Sequence, residues 1–292
     1  MWLALKYRKR GINIEALIIL ILLAFFKWQN DGIVISNYEY KNSKIPQKFN
    51  NYKIVQISDF HNKNYKGKLS KKIKNIKPDI IVITGDIIDR RKVRLNLVTD
   101  FIKEIKDIAP IYYVSGNHEF LSGAYNKVKE LLEKEEVKVL DNSFIVLEKD
   151  KDKIGLMGVE DPTSKYNPKH YTSKNNIKYM KSAIEKLNKE RNTDFTILLA
   201  HRPEQFKLYV EEELDLVFTG HAHGGQIRLP LVGGLFSPNQ GIFPKYTSGI
   251  YREKNTSMVV SRGLGGSAFP IRLFNRPDLV VVTLLNSNWQ EY

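Results

Sequence analysis

The chain of 292 residues carries 46 Lys and Arg against 32 Asp and Glu, a net charge of +14, with ordinary apolar and charged fractions and no cysteine. This length and balance support a buried core and exclude wholesale disorder, and the lack of cysteine excludes disulfides, thiolate metal sites and cysteine nucleophiles. The lysines are scattered, many beside Asn and Ile, without the arginine–aromatic interleaving of single-strand binders. The charge therefore reads as a solvated basic surface, and nucleic acid is not an expected partner.

In chain order, Lys6, Arg8, Lys9 and Arg10 precede an unbroken apolar run, Ala16 to Phe26, and Trp28 follows where an interfacial aromatic sits. The run is shorter than the roughly 20 residues of a spanning helix. Bulky Phe25, Phe26, Lys27 and Trp28 leave no small-residue cleavage site behind it. Residues 1–30 are thus expected to be an uncleaved signal-anchor, a membrane-anchor helix that passes once through the cell membrane. The basic end would stay cytoplasmic and the main domain would lie on the extracytoplasmic side. Residues 31–52 read as a linker with some strand character at Gly32–Ile35, and residues 53–292 as the main domain.

A pattern then repeats. Lys53–Ser58 is a short β-branched run ending in Asp59-Phe-His61, and Ile80–Thr84 ends in Gly85-Asp86-Ile-Ile-Asp89. Ile111–Ser115 ends in Gly116-Asn117-His118-Glu119, Phe195–Ala200 in His201-Arg202-Pro203, and Leu214–Thr219 in Gly220-His221-Ala-His223. Five predicted strands thus each deliver a polar residue able to bind metal just past the C-terminal end. Between them run helical stripes: Leu69, Ile73 and Ile76; Leu95, Val98, Phe101, Ile102, Ile105 and Ile108, stopping at Pro110; Tyr125, Val128, Leu131 and Leu132; and Ile177, Met180, Ile184 and Leu187. Alternation of strand and helix predicts a layered α/β fold with its ligand site at the carboxyl ends of the strands.

Ile145–Leu147 and Ile154–Gly158 read as a hairpin inserted mid-domain. After Gln226, Gly and Pro punctuate short strands at Ile227–Leu229, Tyr246–Tyr251, Met258–Ser261 and Leu279–Leu285, a β-rich second half. Gly263-Leu-Gly-Gly266 lacks the Lys-Ser/Thr of a P-loop and reads as a tight turn.

Asp59, His61, Asp86, Asn117, His118, His201, His221 and His223 form one set, which holds five of the six histidines and leaves only His170 outside. Oxygen and imidazole donors without thiolate suit Mn, Fe or Zn better than Ca or Mg. The donors suffice for two divalent ions, and two ions about 3.5–4 Å apart can share a hydroxide and clamp an in-line displacement at phosphorus.

The order Asp-x-His, Gly-Asp-x-x-Asp, Gly-Asn-His-Glu, His, Gly-His-x-His resembles the calcineurin-like metallophosphoesterase superfamily, over roughly Lys53 to Leu285. His221–Pro230 and Phe274-Asn-Arg-Pro277 resemble more narrowly a membrane-anchored or exported branch, with transmembrane metallophosphoesterase-domain proteins and relatives of UDP-2,3-diacylglucosamine pyrophosphatase. The resemblance implies a layered β-sandwich flanked by helices. It implies that Asp59, His61 and His223 hold one ion, that Asn117, His201 and His221 hold the other, and that Asp86 bridges them. His118 would stabilise the transition state and protonate the leaving oxygen, with Asp89 orienting it. Arg90 and Arg202 flank the motifs as candidate ligands of substrate phosphate oxygens. The expected activity is hydrolysis of a phosphodiester or pyrophosphate bond, in a nucleotide-linked lipid or glycolipid. The competing readings are a phosphomonoesterase or nuclease on the same site, and a non-catalytic module that binds an anionic polymer.

Overall fold

The computed structural model describes residues 14–165, 173–266 and 271–288, so His170 and the basic tract Lys6–Arg10 lie outside the described residues. In chain order the elements are α1 (Ile14–Asp31), β1 (Val34–Asn42), β2 (Tyr52–Ile57), α2 (Lys68–Ile76), β3 (Ile80–Thr84), α3 (Leu95–Ile105), β4 (Ile111–Val114), α4 (Asn117–Leu121), α5 (Tyr125–Lys134) and β5 (Lys138–Val139). Then come β6 (Ser143–Lys149), β7 (Asp152–Gly158), α6 (Ser173–Asn188), β8 (Thr196–Leu199), α7 (Phe206–Glu211), β9 (Leu216–Thr219), β10 (Arg228–Leu229), β11 (Gly233–Gly234), β12 (Phe236–Ser237), β13 (Gly241–Ile242), β14 (Gly249–Glu253), β15 (Thr256–Val260) and β16 (Asp278–Asn286).

Two six-stranded sheets stack face to face, one ordered β1-β16-β2-β3-β4-β5 and the other β14-β15-β9-β8-β7-β6. The central strands are apolar on both faces because both faces are covered. In β3, Ile81 and Ile83 pack against Ile73 of α2, Phe101 and Ile102 of α3 and Leu132 of α5. Their neighbours Ile80 and Val82 point the other way and meet Ile197, Leu199, Leu216 and Phe218 of the second sheet. On that sheet Leu198 and Val217 turn outward under Met180 and Ile184 of α6 and Phe206 of α7. The result is four layers, helix–sheet–sheet–helix, in which each fully buried aliphatic side chain contributes roughly 1.5–3 kcal/mol.

Strands β2, β3, β4 and β5 run parallel in one sheet, and β7, β8, β9 and β15 in the other. All the loops that follow β2, β3, β4, β8 and β9 therefore emerge at one end of the sandwich. Helices are stopped by local chemistry: α2 ends at Lys77 with a φ of 54°, just before Pro78, and α3 ends ahead of Pro110.

Several expectations are corrected. Residues 34–42, expected in a linker, form the edge strand β1, which pairs in parallel with β16 over its whole length. The pairing is available because β16 returns from the far end of the chain to lie between β1 and β2. Of the strands after Gln226, β10–β13 form two small hairpins outside the large sheets, β14 and β15 extend the second sheet and β16 lies inside the first, so this β-rich stretch belongs to the same domain. The mid-domain hairpin β6–β7 is no insertion, for β7 pairs with β8 and carries the second sheet to its edge.

The expected membrane-spanning segment is not met: among the described residues no helix is long and apolar enough to cross a membrane. The physical reason is length, since Ala16–Phe26 extends only about 16 Å at 1.5 Å per residue, against a hydrocarbon core of about 30 Å. Helix α1 nonetheless leaves Ile14, Ile18, Leu20 and Leu23 exposed to solvent. Its C-terminal end docks on the domain. Phe25 meets Phe274 with ring centroids 6.1 Å apart, the Arg276 guanidinium stacks 4.4 Å over Trp28, and Lys63 pairs with Asp31 at 2.9 Å.

Candidate metal centre

At the common end of the sandwich the loops after β2 and β3 run side by side, with Asp59 N–H donating to Gly85 O and His61 N–H to Asp86 O. Below them the buried Gln56 ties three strands together, donating to Thr84 Oγ1 at 2.9 Å and to Thr219 O at 2.8 Å. Gly220 is required by close approach, because a Cβ there would lie 1.8 Å from Ser58 Oγ and 2.5 Å from Asp59 Oδ2. Gly85, with φ +84°, turns the chain where the Gly116 backbone crosses it. Asp59, His61, Asp86, His221 and His223 all adopt left-handed backbone, with φ between 48° and 63°. Each such residue costs roughly 1–3 kcal/mol, which the surrounding framework holds in place.

The expected ligands converge. Asp59, His61, Asp86 and His223 form one cluster, Asp86, His201 and His221 a second, and Asp86 belongs to both. His201 Nε2 lies 3.3 Å from Asp86 Oδ2, His223 Nε2 3.2 Å from Asp59 Oδ1, and His221 Nδ1 3.2 Å from His201 Nε2. Asn117 also faces burial, and its Oδ1 has no hydrogen-bond partner.

The tautomers are set from behind. His61 Nδ1–H donates to Ile88 O at 3.2 Å and His201 Nδ1–H to Thr84 O at 2.7 Å, which leaves each Nε2 as a lone pair. His221 is held the other way round: Nε2–H donates to Asn239 Oδ1 at 2.9 Å and Nδ1 keeps the lone pair. The Nε2 atoms of His61 and His223 stand 3.1 Å apart. Burial pulls the pKa values of His61, His221 and His223 below the ordinary imidazole range. His201 Nε2 and His221 Nδ1, each left with a lone pair, face one another at 3.2 Å, and such nitrogens repel unless a cation lies between them, so these donors fit a metal ion. Burial pulls His201 down too, but Asp86 and Asp59 outweigh it and raise it, and an ion at Nε2 would stand where that proton stands. Burial alone raises Asp86; His201 and His118 outweigh it and hold its carboxyl well below the usual range.

His118 is placed differently. Its Nε2 lies 3.9 Å from Asp86 Oδ2, it is 14% exposed where His61 and His201 are sealed, and its Nδ1 accepts the Arg90 backbone N–H at 3.1 Å. The imidazole is therefore neutral with its hydrogen on Nε2, and burial lowers its pKa in the same sense. Asp89, expected to orient this ring, has Oδ1 4.0 Å from Nδ1, beyond hydrogen-bond reach, and its carboxylate binds the Arg91 side chain at 2.8 Å. The orienting group is the backbone of Arg90, whose side chain is exposed at the rim. Arg202, expected on substrate phosphate, is buried and committed inward. Its guanidinium makes a bidentate pair with Asp161 at 2.5 and 2.9 Å and reaches Asn239 Oδ1 at 2.9 Å. The Arg202 Nη1–H and the His221 Nε2–H thus share one acceptor, Asn239 Oδ1, behind the second cluster.

Three supporting residues, Glu119, Asn239 and Asn275, were given no role from the sequence. Glu119, last in the Gly-Asn-His-Glu motif, accepts the N–H groups of Gly116 at 2.8 Å, Asp86 at 3.0 Å and Ile88 at 3.3 Å, and so locks α4 against the loop after β3. Its place in the motif was the available signal. Asn275 donates to His223 O at 2.7 Å and Gln226 O at 2.9 Å. The turn Gly263–Gly266 packs on the Asp59 loop, with Leu264 N–H donating to Ser58 O at 3.0 Å. For Asn239 and Asn275 no spacing in the sequence relates them to the histidines they hold.

Sandwich fold and donor set together define a metal-dependent phosphoester hydrolase. The chain belongs to the calcineurin-like phosphoesterase family, whose model matches residues 52–225. It is 30% identical to the metallophosphoesterase YkuE of Bacillus subtilis over 88% of this chain and 87% of that protein. It is 27% identical, over 93% of its length, to a Danio rerio transmembrane protein with a metallophosphoesterase domain, and spans 62% of that relative. Its fold is similar to that of TT1561 of Thermus thermophilus, with a TM-score of 0.50 over 73% of this chain and 90% of that one at 13% identity.

Proposed function

We propose that the chain is a membrane-associated two-metal phosphodiesterase or pyrophosphatase acting on a lipid-linked phosphoester. The observation that carries the reading is the pair of donor clusters sharing Asp86, with the His201 and His221 lone pairs turned toward one another. In this reading Asp59, His61 and His223 hold one ion, Asn117, His201 and His221 the other, and Asp86 both. Mn, Zn and Fe fit oxygen and imidazole donors without thiolate. Bound divalent ions would supply Lewis-acid chemistry at phosphorus and lower the pKa of water.

The remaining roles belong to the protein. His118 borders the shared carboxylate from the solvent side, so its Nε2–H meets a phosphoryl or leaving oxygen and stabilises charge as it develops. The Arg90 N–H keeps that hydrogen on Nε2. The exposed Arg90 side chain is positioned at the rim to meet a phosphate oxygen. Arg202 acts through Asn239, whose Oδ1 it shares with His221. The membrane part rests on the exposed apolar side chains of α1, which suit a helix lying within one leaflet.

The test is metal analysis of the full chain with turnover of bis(4-nitrophenyl) phosphate after loading with Mn, Zn or Fe. The expected result is two ions per chain and metal-dependent turnover. No turnover with both clusters filled would overturn the reading. Parallel rates on a phosphomonoester and on DNA place the enzyme among the phosphodiesterases if the diester is preferred.

A further inference from the structure

The segment after the His223 loop is unusual in what it shows to solvent. Two short hairpins, β10–β11 and β12–β13, carry Leu231, 109% exposed, with Val232, Phe236, Ile242 and Phe243 also exposed. Leu231 and Val232 sit at the β10–β11 turn, and Phe236, Ile242 and Phe243 at the open end of β12–β13; large aliphatic and aromatic side chains exposed together mark an interaction surface. The hairpins are also joined to the metal centre. Leu235 N–H donates to Gly225 O at 3.1 Å, two residues beyond His223, and the β12–β13 turn places Asn239 Oδ1 2.9 Å from His221 Nε2.

The same surface continues into α1. Leu235 N–H donates to Ile227 O and Phe243 N–H to Leu235 O, while Ile227 bridges Leu273 and Arg228 N–H donates to Leu273 O. The next residue, Phe274, is exposed and meets Phe25 of α1. One unbroken run of backbone and ring contacts therefore links the exposed apolar side chains of the helix to those of the hairpins. Cations border it: Lys245 beside Phe243, Arg276 stacked on Trp28, and Lys27, exposed and paired with Asp31 at 3.0 Å.

We infer that the two hairpins are a second membrane-contact surface, which seats the mouth of the metal centre against the same anionic leaflet that takes α1. The occupant is a bilayer by two arguments. The bordering charges are positive, on a chain with a net charge of +14, and match anionic headgroups. And the surface is continuous with the helix that the functional reading places in the leaflet. The inference rests on that reading, and it narrows the substrate to a phosphoester whose leaving or retained group stays in the membrane.

The absence of cysteine makes the test direct. Single cysteines replace Leu231, Ile242 and, as control, Lys151 in the full chain, each labelled with an environment-sensitive fluorophore. Lys151 is exposed at the β6–β7 turn, and β7 runs parallel to β8, so this turn lies at the end of the sandwich away from the metal ligands. The proteins are bound to phosphatidylglycerol vesicles containing a doxyl-labelled lipid. Labels at 231 and 242 should shift to the blue and be quenched by the lipid at least about twofold more than the label at 151. Equal, water-like signals at all three positions would overturn the inference. So would a blue shift without lipid quenching, which would assign the surface to another protein or a second copy. Sedimentation of the unlabelled chain with the vesicles tests separately whether the chain is membrane-bound at all, and turnover of bis(4-nitrophenyl) phosphate in solution tests the chemistry without reference to lipid.

Discussion

His118→Asn removes one donor and nothing else. The asparagine Oδ1 can take the place of Nδ1 and accept the Arg90 N–H that now lies 3.1 Å away, so the loop after β3 keeps its shape. The Nε2–H beside Asp86 is lost. Loss of one such preorganised donor costs about 10²–10³ in kcat, or about 3–4 kcal/mol. His118→Gln carries its amide one methylene further, to the neighbourhood of Nε2, and should recover roughly tenfold of this loss. Because the Arg90 N–H already occupies Nδ1, His118 does not gain a second proton near neutrality. It contributes no limb to kcat/KM above the ordinary imidazole range, because burial lowers its pKa, whereas a full general acid would impose one there. The assay is the pH profile of kcat and kcat/KM for the three proteins on an aryl and an alkyl phosphodiester, with metal content measured in each. The reasoning is refuted if the Asn protein keeps turnover within about threefold of wild type with both clusters loaded, or if the Gln protein is no better than the Asn protein.

The other predictions concern the framework. His223→Ala should empty the cluster of Asp59 and His61, and His221→Ala the cluster of His201; metal analysis of each variant should find one ion retained. Gly220→Ala places a methyl against Ser58 Oγ and Asp59 Oδ2, and should cost roughly 1–3 kcal/mol in thermal or denaturant unfolding together with weaker metal binding. Asp161→Asn removes the bidentate charge partner of the buried Arg202 guanidinium, leaving Glu204 at 3.5 Å, and should destabilise by about 3 kcal/mol, read by the same unfolding assay. Asp141 is pushed up to about 6 by burial, above its value in the unfolded chain. A raised carboxyl favours the fold while protonated, so stability should fall by on the order of 2 kcal/mol as pH rises from 4 through 6, and Asp141→Asn should flatten that dependence.

Much of this molecule was legible in order along the chain. Short β-branched runs and intervening apolar stripes carry their own periodicities, and those periods reflect what covers each face. Thus Ile80–Thr84 reads as a buried strand and Val98, Phe101, Ile102 and Ile105 as one face of a helix, and so they fold. The ligands were legible because each sits immediately after such a run, at the end where parallel strands deliver their loops.

The rest depended on which strands become neighbours. Residues 34–42 look like a linker because their polar side chains lie on an edge, and only β16, arriving from more than two hundred residues away, makes them a strand. Arg202 reads as a phosphate ligand from its place beside His201, but packing turns it inward onto Asp161. The Asp89 carboxylate goes to Arg91 while an anonymous backbone N–H takes the His118 nitrogen. Asn239 and Asn275 reach the histidine loops across turns and strands that no local pattern relates. Local chemistry, written residue by residue, determined the ligand set and the strands that carry it. Hydrogen-bond direction behind each imidazole is a matter of which distant atoms lie within about 3 Å, and that was decided only when the two sheets closed on one another.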